Sequence, residues 1–165
     1  MSETKKYNAI VESDIGFWIV SANEESITTI VHTHDHPDKE FHGNALTARA
    51  ALQLVQYFMR ERTTFDLPLQ FDIHSPFFIH CWKELQKVPY GRTISYSHLA
   101  RMVKNPLAVR AVGMANAKNP FPIVVPCHRV IGKNQDLTGY LYGINVKRWL
   151  LEHEGALAVQ GDLFG

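Results

Sequence analysis

The sequence predicts an α+β protein in two parts, a β-rich meander covered by one helix followed by a mostly helical unit. Three observations carry this. Short runs of β-branched and aromatic residues alternate with turns over the first third; after Pro76 the apolar residues recur at helical spacing; and the charge changes sign at the same place. Residues 1–75 carry six Lys/Arg against eleven Asp/Glu, a balance of −5, whereas residues 76–165 carry eleven against five, a balance of +6. The boundary therefore falls at Ser75-Pro76, giving domains 1–75 and 76–165, each long enough to bury its own core.

In the first domain the strand-like runs are Tyr7 to Val11, Phe17 to Val20 and Ile27 to Val31, with Asn23-Glu24-Glu25-Ser26 as the turn between the last two. The next stretch, His32-Thr33-His34-Asp35-His36-Pro37, would place His32, His34 and His36 on one face of an extended segment. With Asp35, Asp38, Glu40 and His42 nearby they could ligate a metal, but no cysteine accompanies them, and the preferred reading is a polar loop. Asn44 is the expected N-cap of a helix from Ala45 to about Arg62, with Leu46, Ala50, Leu54, Tyr57 and Phe58 at helical spacing. An extended segment, Phe65 to Ile73, leads to the boundary.

The second domain opens with a helix from Phe77 to Val88 whose apolar stripe includes Cys81, Trp82 and Leu85, stopped by Pro89-Tyr90-Gly91. Cys81 thus reads as a core residue. Ser95 caps a short helix with Leu99, Ala100, Met102 and Val103, and Lys104-Asn105-Pro106 turns the chain into a second helix from Leu107 to about Ala117. This is helix-turn-helix spacing, a pattern also common in proteins that never touch DNA. The second helix is slim, with Ala108, Ala111, Gly113, Ala115 and Ala117 and one long cation, Arg110, before Lys118. Such a helix suits either close approach to a narrow groove or tight packing inside the domain. Ile131 to Thr138 reads as a wing-like polar loop, Asn145 as the cap of a last helix Val146 to His153, and Gly155 as its C′ residue. The tail, 156–165, gives little signal.

Composition excludes several classes. No apolar run approaches the roughly 20 residues that cross a bilayer, and Met1 to Lys6 leads into no signal-peptide core. An intracellular location is expected, cytoplasmic or, in a eukaryote, nuclear, where Cys81 and Cys127 stay reduced. Between Gly91 and Gln135 there are seven basic residues (Arg92, Arg101, Lys104, Arg110, Lys118, Arg129 and Lys133) and no acidic one, so a polyanion is expected to dock on this domain.

The chemistry centres on Pro120-Phe121-Pro122-Ile123-Val124-Val125-Pro126-Cys127-His128-Arg129-Val130. An apolar run bracketed by prolines would end abruptly and fix the next side chain in place. That side chain is a thiol beside two potential cations, which would lower its pKa and activate it as a nucleophile. Free cysteine is also among the most buried residue types, and an inert core thiol fits the same stretch.

The residues in order resemble a known family. Val125-Pro126-Cys127-His128-Arg129-Val130, preceded by Asn119-Pro120 and Arg110-Ala111-Val112-Gly113, is similar to the O6-alkylguanine-DNA alkyltransferases, the methylated-DNA–protein-cysteine methyltransferases. The resemblance runs from Trp82 through Val88-Pro89-Tyr90-Gly91 and Ser95-Tyr96 to Trp149-Leu150-Leu151 and His153-Glu154-Gly155. It implies a ribonuclease-H-like N-terminal domain and a winged helix-turn-helix C-terminal domain. It also implies irreversible, once-only transfer of an alkyl group, chiefly methyl, from O6-alkylguanine and from O4-alkylthymine in duplex DNA to Cys127.

By the same resemblance the protein acts as a monomer and without a cofactor, the alkyl donor being the damaged DNA. His128 would serve as base toward Cys127 through a water, Glu154 would orient the imidazole, and Asn119 would brace the turn. Arg110 would fill the space left by a nucleotide flipped through the minor groove, with Tyr96, Ser97 and Ala108 on the DNA side. Backbone at Cys127, Val130 and Leu141 would contact the guanine, and Tyr140 would pack on it. Arg129 and Tyr142 stay outside the catalytic set. Leu141 and Tyr142 stand where many members carry small residues, so the expectation is good handling of methyl and poor handling of benzyl. Two other readings use parts of the same pattern: a DNA-binding damage sensor and a cysteine hydrolase.

Overall fold

A computed structural model describes residues 5–137 and 139–157. Met1 to Thr4 of the polar start, Thr138 of the wing-like loop and residues 158–165 of the tail lie outside the described residues. The chain divides into two compact units, Met1–Ile73 and His74–Gly165.

The first unit is an antiparallel meander of β1 (Tyr7–Ser13), β2 (Gly16–Ala22) and β3 (Ile27–Thr33), followed by α1 (Ala45–Phe58). The β1–β2 hairpin closes at Gly16, whose φ of 118° and lack of a side chain are both required: a Cβ there would lie 2.7 Å from the Thr33 carbonyl. Asn23 makes the β2–β3 turn by accepting from the amides of Glu25 and Ser26, both at 2.8 Å. α1 packs on β1 and β2. It buries Ala50, Leu54 and Tyr57 in one core with Trp18, Val20, Ile27 and Ile30 of the sheet, each large side chain contributing about 1.5–3 kcal/mol.

α1 starts where the sequence places it. Asn44 Oδ1 accepts from Thr47 N at 2.9 Å and Thr47 Oγ1 accepts from Asn44 N at 2.9 Å, a reciprocal cap. It ends at Phe58 rather than Arg62, because Arg60 turns to a φ of 61° and breaks the helical ladder. The extended stretch 65–73 holds one parallel bridge, Leu69 to Ile27.

The three histidines divide. The His32 and His34 rings meet edge to face at 4.9 Å, as alternate residues of a strand should. The His32 Nε2, however, bonds the Ile15 carbonyl at 2.8 Å, and β3 ends before His36, whose ring sits on Phe17 instead. Among the described residues no group of three or more His, Cys, Asp or Glu is placed to hold a metal ion, and no helix is long and apolar enough to cross a membrane.

The second unit comprises α2 (Pro76–Leu85), β4 (Ile94–Ser95), α3 (Tyr96–Met102), α4 (Val109–Ala117), β5 (Val130–Ile131) and α5 (Ile144–His153). Ser75 caps α2 and Pro76 fills its first turn. The last expected turn of α2 tightens instead: Val88 N bonds the Leu85 carbonyl at 3.0 Å. Trp82, fully buried, donates from Nε1 to the Ala115 carbonyl at 2.8 Å and so ties α2 to α4. Cys81 lies in this core, its thiol pushed up to about 11 by burial.

Ser95 ends β4 and caps α3, accepting from His98 N at 3.0 Å. α4 begins two residues later than the spacing suggests, because Asn105 to Ala108 forms a closed turn around Pro106. α5 begins earlier, at Ile144: Gly143, with φ of 100°, supplies the entry, and Asn145 falls inside the first turn. The parallel pairing of β4 with β5, Ile94 to Val130 and Ser95 to Ile131, has no sequence signal, since two-residue strands are too short for periodicity.

Candidate active site

Cys127 opens a short 3-10 turn, Cys127–Arg129, directly after Pro126. The approach is strained. Ile123 holds a φ of 73°, a region disfavoured for a β-branched residue. Asn119 sustains this backbone from inside: Nδ2 donates to the Val125 carbonyl at 2.7 Å and Oδ1 accepts from Phe121 N at 2.8 Å. Every residue from Phe121 to Ile131 is buried, so the thiol is delivered into the interior.

Burial reverses the expected electrostatics of the thiol. Desolvation pushes Cys127 up to about 11, against a hydrogen bond from Asn119 and the charge of Lys147. The neighbours in sequence are not free cations. His128 is fully buried and its pKa is lowered, first by burial, although Glu154 pulls the other way. Arg129 spends its charge elsewhere. The thiol is therefore held toward its protonated form.

His128 is paired with a carboxylate. Its Nε2 lies 2.6 Å from Glu154 Oε2, with both side chains wholly buried. A carboxylate accepts only, so Nε2 carries the hydrogen and Nδ1 keeps its lone pair. That Nδ1 is buried and has no hydrogen-bond partner among the described residues. Glu154 stays ionised: burial alone would raise its carboxyl, but His128 and Arg129 hold it well below the usual carboxylate range.

Sequence reasoning left out Arg129, which the structure puts at the centre. Its Nε donates to Glu154 Oε1 at 2.8 Å, Nη2 to Oε2 at 3.1 Å and Nη1 to the Val88 carbonyl at 2.7 Å. The guanidinium also lies over the Tyr90 ring, 5.7 Å from its centroid. Arg129 is thus withdrawn from the basic set available to a polyanion, while Arg92, Arg101, Lys104, Arg110, Lys118 and Lys133 are exposed or half-buried. Lys147 was also unforeseen. It is fully buried, donates to the Val130 carbonyl at 2.6 Å, and is lowered to about 8 by burial against the pull of Cys127. Their position just after a nucleophile and on the inward face of α5 was the only available signal.

Of the other predicted residues, Tyr96 and Tyr140 stand near the thiol, each raised by burial and also by the Cys127 charge. Val130 is buried and its carbonyl is the one held by Lys147. Gly139, at φ of 80°, lets the chain pass where a Cβ would sit 3.0 Å from Tyr96 Oη. Arg110, Ser97 and Leu141 are exposed and Ala108 is half-buried; none of these four joins the buried cluster.

Known proteins resemble this chain over most of its length. Residues 76–156 match the family model described as 6-O-methylguanine DNA methyltransferase, DNA binding domain. A methylated-DNA–protein-cysteine methyltransferase of Methanosarcina acetivorans is 39% identical over 155 residues, covering 91% of this chain and 99% of the relative. The constitutive enzyme of that name from Bacillus subtilis is 40% identical, covering 90% and 94%. The crystal structure of Mycobacterium tuberculosis O6-methylguanine methyltransferase superposes with a TM-score of 0.80 at 36% identity, covering 98% of this chain and 100% of that one. A Mycobacterium tuberculosis structure in complex with DNA gives 0.79 at 38% identity, covering 89% and 91%. Likeness over nearly the whole length of the chain makes this protein a member of the methylated-DNA–protein-cysteine methyltransferase family.

Proposed function

We propose that the protein repairs duplex DNA by moving the alkyl group of O6-alkylguanine, and of O4-alkylthymine, onto Cys127. The observation that carries this is the buried thiol beside His128, whose Nε2 is engaged by Glu154 at 2.6 Å and whose Nδ1 is unoccupied among the described residues. His128 Nδ1 takes the thiol proton through a bridging water, and Glu154 stabilises the imidazolium. The sulfur attacks the alkyl carbon, a C–S bond forms as the bond to O6 breaks, and the proton returns to the departing guanine. The thioether is stable, so each molecule acts once.

The lesion must leave the base stack to reach a buried sulfur, at a cost of a few kcal/mol. In this reading α3 and α4, with the β4–β5 pair, form a winged helix-turn-helix in the minor groove, and unit 1 is the ribonuclease-H-like domain. Arg110, exposed on α4, enters the vacated stack, with Tyr96, Ser97 and Ala108 beside the backbone. Val130, Leu141 and Tyr140 line the base, and Asn119 holds the floor. The protein works as a monomer in the cytoplasm, or in the nucleus of a eukaryote, and uses no cofactor.

Intact-mass spectrometry after incubation with DNA containing O6-methylguanine tests this. One methyl per chain on Cys127 is expected, with Cys127→Ala binding DNA but gaining nothing. Turnover beyond one equivalent would indicate a hydrolase, and binding without an adduct a sensor; either outcome overturns the reading.

A further inference from the structure

Cys127 and His128 share one peptide unit, and the backbone atoms of that unit, from one Cα to the next, lie in a plane. The Cys127 carbonyl oxygen belongs to this plane, so a group that holds the oxygen fixes the root of the thiol and the root of the imidazole together. Val130 N, from the same short turn, donates to it, and so does Asn116 Nδ2, at 3.2 Å. A carbonyl oxygen accepts two hydrogen bonds, so both fit. Their roles differ: the Val130 bond turns with the segment, whereas the Asn116 bond ties the segment to α4.

Asn116 is itself firmly anchored. It is 3% exposed on the last turn of α4. The carbonyl of the preceding residue, Ala115, accepts from Trp82 Nε1 at 2.8 Å, which pins this end of the helix to α2. A carbonyl only accepts, so the amide nitrogen of Asn116 faces Cys127 and the orientation of the side chain is settled. The same side chain bonds that of Tyr96, drawing the phenol down against the upward push of burial and of the Cys127 charge. A bond that favours the phenolate is one donated to its oxygen. The amide thus serves the first residue of α3 and the thiol turn together.

The other supports of the turn act on either side of this peptide. Asn119 holds Val125 and Phe121 on the approach, Arg129 holds Glu154 and Val88, and Glu154 holds the His128 ring at Nε2. Those bonds fix the backbone before the thiol and the ring beyond it; Asn116 fixes the link between them. We propose that Asn116 is a positioning residue for the transfer, its amide holding the Cys127–His128 peptide so that sulfur and His128 Nδ1 keep the separation that proton transfer between them needs. This rests on the reaction given above, in which a misplacement of about 1 Å can cost about a hundredfold in rate.

The test measures single-turnover methylation of Cys127 by intact mass, first against increasing concentrations of free O6-methylguanine base and then with duplex DNA carrying the lesion. Asn116→Leu keeps the bulk and Asn116→Ala leaves space, so an effect common to both belongs to the lost donor. In both variants the maximal rate constant is expected to fall by roughly 10- to 100-fold, with the half-saturating concentration of base unchanged and duplex DNA slowed by the same factor. Loss of folded protein alone would lower the methyl incorporated per chain and leave the rate constant of the reacting fraction at the parent value. A maximal rate constant at the parent value in both variants, a change confined to the half-saturating concentration, or slowing confined to duplex DNA overturns the assignment to Asn116. Absence of any Cys127 methylation in the parent would instead remove the reaction on which it rests.

Discussion

Replacing Arg129 by lysine keeps the positive charge and removes the fork. In the parent, one guanidinium meets both oxygens of Glu154 at 2.8 and 3.1 Å and the Val88 carbonyl at 2.7 Å, at only 5% exposure. A single ammonium cannot occupy all three positions, so Arg129→Lys forfeits at least one hydrogen bond to a charged group, worth about 1.5–3 kcal/mol. It also leaves Val88 O or one Glu154 oxygen buried and unmet, for about another 1–3 kcal/mol. The sum, about 2.5–6 kcal/mol, brackets the about 3–5 kcal/mol that breaking a buried ion pair costs. For a unit of this size each kcal/mol is roughly 4–8 °C in Tm, so a drop of roughly 10 °C or more is expected by thermal unfolding. Transfer to Cys127 should slow as well, since Glu154 loses the group that fixes it against His128. A variant melting within about 2 °C of the parent would refute the argument, because it would mean that charge alone, and not bidentate geometry, holds Glu154 in place.

Three further outcomes follow from the same geometry. Glu154 and His128 both have folded pKa values below their ordinary ones. Each therefore contributes stability that is present above its unfolded value and lost as pH falls, from about 6.5 downward for His128 and from about 4.3 downward for Glu154; urea midpoints measured from pH 7 to pH 3 should decline, and Glu154→Gln should flatten the lower part of that decline. Arg110, exposed on α4, should matter only where a base must leave a duplex: Arg110→Ala is expected to slow repair of duplex DNA while leaving reaction with the free O6-methylguanine base largely intact, and equal slowing of both would count against stack filling. Leu141, 63% exposed beside Tyr142 at the proposed pocket lip, should disfavour bulky groups, so Cys127 should react with O6-benzylguanine at least about tenfold more slowly than with the methylated base, the discrimination expected of an apolar lip; comparable rates would show that the lip does not restrict entry.

What was legible in the sequence was what is decided over a few residues. Asn44 and Ser95 mark helix starts because a cap bond spans only three residues. The meander was readable from its alternation, and Pro126-Cys127-His128 from the stiffness of proline and the chemistry of thiol and imidazole. The resemblance to alkyltransferases rested on ordered local motifs and survives comparison over nearly the whole chain. Helix ends were read less well, because Arg60 and Gly143 impose positive φ values that apolar spacing cannot reveal.

The tertiary structure alone decided the electrostatics. Next to Cys127 in sequence, His128 and Arg129 read as cations that would lower the thiol. Brought together with Glu154 from the end of α5, one becomes a buried imidazole held toward its neutral form and the other a clamp, while burial pushes the thiol up to about 11. Lys147 reaches Val130 across 17 residues, and Asn116 reaches Cys127 across 11. The physical reason is general. Residue type and local spacing fix which hydrogen bonds a segment can make, but the charge of a titratable group depends on which distant partners and how much water the fold leaves beside it.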